Sequence, residues 1–195
     1  MTATPRTTPE PLDQGRIVRA AWDLVDTGGV AALSTRTLAA ALHVKGPALY
    51  WHVRNKQDLL SLMLEHVLVD SIAAPPPGLD WADWLRFVGQ RQRAALLAHR
   101  DSGMIASTAP PTLRLRTEVF PLIIAPLRAA GISAAHASSA AGALTSLILG
   151  WVIYEQRPET RDFIMAFHDP EAGFAYALDA LVCGIVVKEG RFPPA

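Results

Sequence analysis

The sequence contains a single cysteine, and this scarcity argues against two kinds of scaffold. Cys183 has no second thiol with which to form an internal disulfide, and one thiol is too few for a structural zinc site. Hydrophobic residues make up 50% of the 195-residue chain, so we expect it to fold around an apolar core. Because Cys183 lies in an apolar run, we predict that it is buried as a small hydrophobic side chain.

Motifs that carry catalysis are also missing. The sequence has no Gly-x-Ser-x-Gly, no phosphate-binding glycine loop, no paired carboxylates in a polar cleft and no supported Cys–His pair. Its one compact cluster, His99-Arg100-Asp101, is interpreted as the end of a helix, where cations are favoured near the last carbonyl groups. We therefore expect no enzymatic activity and no cofactor.

The chain has no net charge, with 18 basic and 18 acidic side chains. The balance is uneven, because residues 1–60 carry seven basic and five acidic side chains and the remainder carries eleven and thirteen. A slightly basic head on a neutral body has the sign that nucleic-acid binding requires, although the margin alone is weak evidence. Residues 2–11 are predicted to be a disordered lead-in rather than a signal peptide, so we expect a cytoplasmic protein.

One uncharged segment, residues 132–154, is long enough to span a bilayer. A lone membrane span tolerates polar side chains poorly, and this segment contains six Ser, Thr and His residues: Ser133, His136, Ser138, Ser139, Thr145 and Ser146. A helix that is apolar on most sides is more often buried in a core or an interface. The sequence therefore favours a buried helix, and we expect no membrane association.

Hydrophobic residues recur at helical spacing along the chain, and no strand pattern or repeat is present. Glycine and proline divide the predicted helices, which cover 13–27, two short segments within 34–53, 56–72, 81–100, 112–130 with kinks at Pro121 and Pro126, 133–156, 160–168 and 171–188. The predicted fold is all-α, with about nine to ten helices. A three-helix head occupies residues 1–56 and a helical body residues 57–195, and helix 56–72 is predicted to be their only rigid connection.

Residues 34–56 carry the clearest functional pattern, which is two short helices joined by a tight turn. Ser34 is suited to cap the first helix by accepting its free backbone N–H groups. Gly46-Pro47 restart the chain as a second helix, with glycine at the cap and proline in the first turn, where its missing N–H removes no helical hydrogen bond. Leu49 and Val53 lie one turn apart and would hold the second helix against the first.

The outer face of that second helix is aromatic and is flanked by basic residues. Tyr50, Trp51 and His52 are left outside the predicted core, between Lys45 and Lys56. Such a surface suits a recognition helix in a DNA major groove. From spacing alone, a structural helix hairpin with a solvated basic rim explains the pattern equally well.

A family resemblance favours the first interpretation. Four runs in this sequence resemble the DNA-binding domain of TetR-type repressors, and the tetracycline-repressor branch in particular. They are Leu33-Ser34-Thr35-Arg36, Leu38-Ala39, Leu49-Tyr50-Trp51-His52-Val53 and Asn55-Lys56. The body of those repressors resembles Trp81-x-Asp83-x-Leu85-Arg86 and Ala95-Leu96-Leu97-x-His99-Arg100-Asp101. Recognisable motifs thus cover roughly residues 15–112, and the remainder resembles the family only in hydropathy and helix order.

The resemblance implies a repressor that binds a palindromic double-stranded operator as a homodimer and is released by a small-molecule effector. It assigns DNA contacts to Thr35, Arg36, Gly46, Pro47, Ala48, Tyr50, Trp51, His52 and Lys56. Four of these are assigned to phosphates (Thr35, Arg36, Tyr50 and Lys56). Gly46 and Ala48 replace hydrogen-bonding side chains of the tetracycline repressors, so the operator is expected to differ. The alternative is a helical dimeric ligand-binding or interaction module that does not bind DNA.

The resemblance also implies an effector pocket in the body. Tetracycline repressors hold the drug through polar groups and a magnesium ion that is bound by a His and supported by a Glu. Here Ala106 stands in place of that His and Tyr154 in place of that Glu, although Glu155 is adjacent. We therefore expect a largely hydrophobic effector and no metal site. The candidate pocket residues are Met63, Val67, Val88, Gln92, Ala106, Ala109, Pro110, Leu122, Trp151 and Tyr154.

Overall fold

The computed structural model describes residues 12–190, apart from the side chain of Ile164, and the predicted lead-in at residues 2–11 lies outside that range. Within it the backbone forms ten α-helices and no β-strand, which confirms the predicted all-α fold. The helices are α1 (Gln14–Gly28), α2 (Thr35–Ala41), α3 (Gly46–Tyr50), α4 (Lys56–Ser71), α5 (Trp81–Leu97), α6 (Ser102–Thr108), α7 (Phe120–Ala129), α8 (Ala134–Gln156), α9 (Pro158–Met165) and α10 (Pro170–Glu189).

Six helices begin at a side chain that caps them. In each case an oxygen accepts a hydrogen bond from a backbone N–H two or three residues further on, and a cap of this kind stabilises a helix by about 1 kcal/mol. The capping residues are Asp13, Ser34, Asn55, Asp80, Ser133 and Asp169. Polar residues placed just before each apolar run therefore set the helix starts.

Helix α5 lies at the centre of the body and packs against α4, α7, α8 and α10. A methyl group added at Gly89 would lie 2.8 Å from a Leu178 side-chain carbon, so the missing side chain permits the close approach of α5 and α10. On the side facing α7, the indole of Trp84 donates a hydrogen bond to the backbone carbonyl of Ile123 at 2.9 Å. These contacts place one apolar core between α5 and the helices around it.

A buried ion pair ties three body helices together. The Arg93 side chain on α5 is 6% exposed, and its Nε and Nη2 atoms donate to the Glu155 carboxylate on α8, both at 2.9 Å. It also contacts Glu171 on α10 and lies over the ring of Phe174, 4.8 Å from the centroid. Burial alone would lower the pKa of Arg93, but the hydrogen bonds to Glu155 and Glu171 outweigh it and raise the pKa above its ordinary value.

The segment after α5 differs from the prediction of one helix over 81–100. Helix α5 ends at Leu97, and α6, which was not predicted, follows as a separate helix. Asp101 between them has a positive φ of 56°, a conformation that ends a helix and reverses the chain. Seven residues that begin with Ser102-Gly103 show too little periodicity to reveal a helix in the sequence.

Proline shapes two other helices. The predicted kink at Pro121 takes the form of a wide π-helical turn at Leu115–Val119, just before α7. A proline has no N–H to donate to the preceding turn, and a π turn accommodates the missing bond. Pro158 starts α9 instead of only ending α8, because the extended residue before it, Arg157, breaks the helix first.

The prediction that Cys183 is buried is wrong for the single chain. Cys183 is exposed, because the buried stripe of α10 passes through Leu178 and Val182 on another side of the helix. Among the described residues, α8 and α10 are both long and apolar enough to cross a membrane by length and composition. Only 33% and 22% of their most apolar windows are buried in the single chain, so each leaves a wide face uncovered.

Candidate nucleic-acid interface and ligand cavity

The helix pair α2 and α3 is built around a reciprocal cap and a left-handed turn. The Ser34 hydroxyl accepts from the Thr37 backbone N–H at 3.0 Å, and the Thr37 hydroxyl accepts from the Ser34 N–H at 2.9 Å. This capping box satisfies two N–H groups at the start of α2. After α2, His43 adopts a positive φ of 55°, which turns the chain into α3.

Helix α3 presents its aromatic residues to solvent, as the sequence indicated. Leu49 and Val53 are buried and hold α3 against the head core. Tyr50 is exposed and Trp51 is 90% exposed, which is unusual for the largest apolar side chain. The residue that precedes α3 is Lys45, so Gly46 and the following proline lie in its first turn rather than at the cap.

The other predicted DNA-contact residues lie at or near the surface. Arg36, Pro47 and Lys56 are exposed, and the remaining ones, Thr35, Gly46, Ala48 and His52, are partly exposed. The Lys56 ammonium donates to the backbone carbonyl of Val30 at 2.9 Å, which fixes the position of its charge beside the head. Among the predicted DNA-contact residues, the head therefore presents two exposed cations, Arg36 and Lys56, and two exposed aromatic side chains, Tyr50 and Trp51.

The head has a second connection to the body, which the sequence analysis missed. Asp26 near the end of α1 accepts from the Arg100 backbone N–H at 2.9 Å, and its other oxygen lies 2.9 Å from His99 Nδ1. In return, Asp101 accepts from the Val30 backbone N–H at 2.8 Å. These contacts show that the prediction of α4 as the only rigid connection is wrong. The sequence analysis missed them because hydrophobic periodicity does not reveal contacts between segments so far apart in the chain.

This connection, called the joint below and formed by Asp26, Val30 and residues 99–101, is also fastened to α8. The His99 ring stacks on Trp22, with ring centroids 4.1 Å apart. The Gln156 amide at the end of α8 donates to the His99 carbonyl at 2.7 Å and accepts from the Gly103 N–H at 2.9 Å. The joint is thus held from the head on one side and from the body core on the other.

A cavity of about 510 Å³ opens between α4, α5, α6, the π turn, α7 and α8. Its walls are mainly apolar. They are formed by Leu64, Leu68, Gln92, Leu96, Ala106, Ala109, Pro111, Leu115, Arg116, Val119, Phe120, Ile123, Thr145, Ile148 and Leu149. A volume of this size accommodates a drug-sized molecule.

Three of the ten predicted pocket residues line this cavity: Gln92, Ala106 and Ala109. The other seven lie elsewhere. Met63 and Val88 are fully buried, and Trp151 packs on Phe174. Val67 faces a groove beside α1, and Leu122 lines another groove at the end of α4. Pro110 and Tyr154 are exposed. The positions carried over from the resemblance therefore coincide with the cavity lining on α5 and at the end of α6, but not on α4 and α8.

The lining does not fit a magnesium ion. Magnesium prefers carboxylate and other oxygen ligands, and the described residues that line the cavity include no Asp, Glu or His side chain. Glu155, the alternative to the missing supporting Glu, has both oxygens bound by Arg93. Within residues 12–190, no group of three His, Cys, Asp or Glu side chains is arranged to hold a metal ion.

Comparisons with known proteins agree with the architecture. Residues 17–63 match the family described as bacterial regulatory proteins, tetR family, and residues 74–166 match the tetracyclin repressor-like C-terminal domain. The chain is 34% identical over 200 residues to the tetracycline repressor protein class A from transposon 1721 of Escherichia coli, and the match covers 91% of this chain and 92% of that protein.

Two solved structures are similar over nearly the full chain. A TetR variant from Acinetobacter baumannii AYE in complex with minocycline has a TM-score of 0.78 and 30% identity, and the match covers 94% of this chain and 100% of that one. A structure of BioQ with its double-stranded DNA operator has a TM-score of 0.68 and 30% identity, with 90% and 98% covered.

Proposed function

The chain belongs to the tetR family of bacterial regulatory proteins, and on that premise we propose that it is a cytoplasmic, effector-controlled transcriptional repressor rather than an enzyme. Residues 1–56 bind a palindromic operator, and residues 57–195 bind the effector and form the homodimer. The observation that carries this proposal is the 90% exposure of Trp51, which directly follows α3, on a head that also exposes the cations Arg36 and Lys56.

DNA binding follows from the chemistry of that surface. Exposed cations supply the phosphate contacts that position a protein on a duplex, and side chains on the recognition helix read base edges. Trp51 is almost fully exposed and so contributes little to the core of the head. A base methyl group or a sugar of bound DNA would give this side chain an apolar contact. Arg36 and Lys56, which are exposed on the same head, supply positive charge.

Dimerisation follows from the uncovered faces of α8 and α10. Tyr176 is 79% exposed and Val187 is 72% exposed on α10, and Gly142 and Gly184 have open space where a side chain would be. A two-fold axis that pairs α8 and α10 with their symmetry mates forms a four-helix interface and covers this surface. Two heads must then lie about 34–36 Å apart to enter successive major grooves.

Effector binding reaches the heads by two routes. The cavity is lined by Leu64 and Leu68 of α4, the helix that leads directly into the head. It is also lined by Leu96 and Ala106, which lie on either side of the joint. An effector that moves these walls changes the head spacing, and it lowers operator affinity by its differential affinity for the two spacings.

The test is selection of a duplex from a random palindromic pool by the purified full-length protein, followed by binding measurements at several salt concentrations. A regulator gives a sequence-selective complex whose affinity falls with salt, because phosphate contacts release counterions. Equal affinity for selected and scrambled duplexes contradicts the proposal and favours the alternative, a helical dimeric interaction module. Release by candidate apolar effectors should be the same with and without a magnesium chelator.

A further inference from the structure

We propose that the effector is a bifunctional apolar molecule, with an acidic group at one end and a neutral hydroxyl or carbonyl group at the other. The inference rests on the proposed function of the cavity as an effector site. It comes from two of the three polar side chains in the walls, Gln92 and Arg116, which differ in burial and charge. The hydroxyl of the third, Thr145, already donates to the Ala141 carbonyl at 2.9 Å.

Gln92 supplies an uncharged hydrogen-bonding group inside the cavity. Its side chain projects from α5 and is 5% exposed, and it makes no hydrogen bond with any other residue in the range 12–190. A primary amide carries two donors and one acceptor. Those of Gln92 stay accessible through the cavity, because Trp22 Nε1 is the only fully buried side-chain polar atom without a partner in residues 12–190. A neutral hydroxyl or carbonyl satisfies the amide without bringing an unpaired charge into an apolar wall.

Arg116 supplies a positive charge at the mouth of the cavity. It is the only charged side chain in the lining, it is exposed, and it forms no ion pair with another described residue. The neighbouring Arg114 differs, because its guanidinium lies beside Glu65 and Glu118. With no carboxylate in the walls, the cavity carries one positive charge, which attracts an anion and repels a cation.

The walls between these two residues are apolar. Leu96, Leu115, Ile123 and Ile148 line the cavity along with the ring of Phe120. An effector that satisfies both polar residues must therefore carry its two polar groups on separate ends of an apolar scaffold. A cationic molecule, or one with a charge at each end, is disfavoured by the same arrangement.

The test uses three probes with one common ten-carbon chain: ω-hydroxydecanoate, decanoate and decylammonium. Their binding to the full-length protein without DNA is measured by calorimetry below the critical micelle concentrations. The expected order has ω-hydroxydecanoate about fivefold tighter than decanoate, and decanoate at least about tenfold tighter than decylammonium. Absence of binding by all three, or equal binding, overturns the inference.

Two variants test the roles of Gln92 and Arg116 separately, and a third variant is the control. Gln92→Leu should remove the advantage of ω-hydroxydecanoate over decanoate and leave decanoate binding intact. Arg116→Gln should remove the preference for decanoate over decylammonium, whereas Arg157→Gln, an exposed site outside this cavity, should change neither ratio. Because each readout is a ratio of two probes on one variant, a general loss of folding does not produce the expected pattern, and ratios that persist in the variants overturn the inference.

Operator binding is measured in parallel with the same samples. Selective probe binding without any change in operator affinity contradicts the proposed regulation and leaves the inference about the cavity standing. Operator binding without probe selectivity overturns the inference alone.

Discussion

The Nδ1 atom of His99 lies 2.9 Å from a carboxylate oxygen of Asp26 and joins the body to the head across 73 residues of sequence. The second oxygen of Asp26 accepts the backbone N–H of Arg100. One aspartate therefore holds both the side chain and the backbone of the turn between α5 and α6. This contact gives the head a fixed position relative to the cavity wall.

Asp26→Ala should lower the free energy of unfolding by about 1 kcal/mol, because its contacts with His99 and the Arg100 N–H are lost at a site where water replaces them only in part. Asp23→Ala is the matched control: it removes an exposed carboxylate one turn earlier on α1 and should change stability by less than about 0.5 kcal/mol. Urea unfolding at a fixed protein concentration measures both. Equal effects would show that the joint contributes nothing specific.

Trp51→Ala should separate DNA binding from stability. The side chain is 90% exposed, so its removal should change the free energy of unfolding by less than about 0.5 kcal/mol. Operator affinity, measured by fluorescence anisotropy, should fall about tenfold or more. Phe163→Ala, which truncates another exposed aromatic residue outside the head, should leave operator affinity unchanged. A Trp51→Ala protein with full affinity would refute the assignment of α3 as the recognition helix.

Lys56→Ala should weaken binding to all duplexes by a similar factor and reduce the salt slope by about one, because one phosphate contact is lost. The substitution also removes the hydrogen bond to the Val30 carbonyl, so the unfolding midpoint should be recorded beside the affinity. Arg161→Ala on α9 is the charge-matched control. An unchanged salt slope would mean that Lys56 does not contact the backbone of the duplex.

Gly142→Arg should convert the dimer into a monomer or an aggregate. A side chain at Gly142 meets nothing within 4 Å in the single chain, so any defect must arise between chains. Gln90→Arg, which adds the same charge at an exposed site on α5, should remain dimeric. Analytical ultracentrifugation decides the question, and a soluble wild-type monomer would contradict the proposed interface.

Arg93→Met should lower the free energy of unfolding by about 3–5 kcal/mol, because it leaves the buried Glu155 carboxylate without its partner. Adding Glu155→Leu should recover most of this loss. Arg86→Met should cost only about 0–1 kcal/mol, since its partners Asp83 and Asp179 are largely exposed. Chemical denaturation measures the free energy of unfolding of each variant. Equal losses for Arg93→Met and Arg86→Met would show that burial of the ion pair does not determine how much stability is lost.

The helices themselves were largely predictable, because caps such as Asp80 and breaks such as Gly131 are local features of the sequence. The joint was not predictable, since it depends on the left-handed conformation of Asp101 and on contacts between distant segments. The predicted pocket residues differ from the cavity lining for another reason. A one-residue error in register turns a helical side chain by about 100°, which is the difference between buried Met63 and cavity-lining Leu64.

Gly29 sets a limit on how heads can be exchanged between related proteins. Its φ is +73°, and a β-carbon there would lie 3.0 Å from a carboxylate oxygen of Asp101. A chimera cut at the predicted boundary after residue 56 therefore carries only half of the joint from each parent. Such a hybrid needs a donor head with glycine at this position and an acidic residue three positions before it. A donor without them yields a protein in which both halves fold but effector binding is transmitted to the DNA through α4 alone.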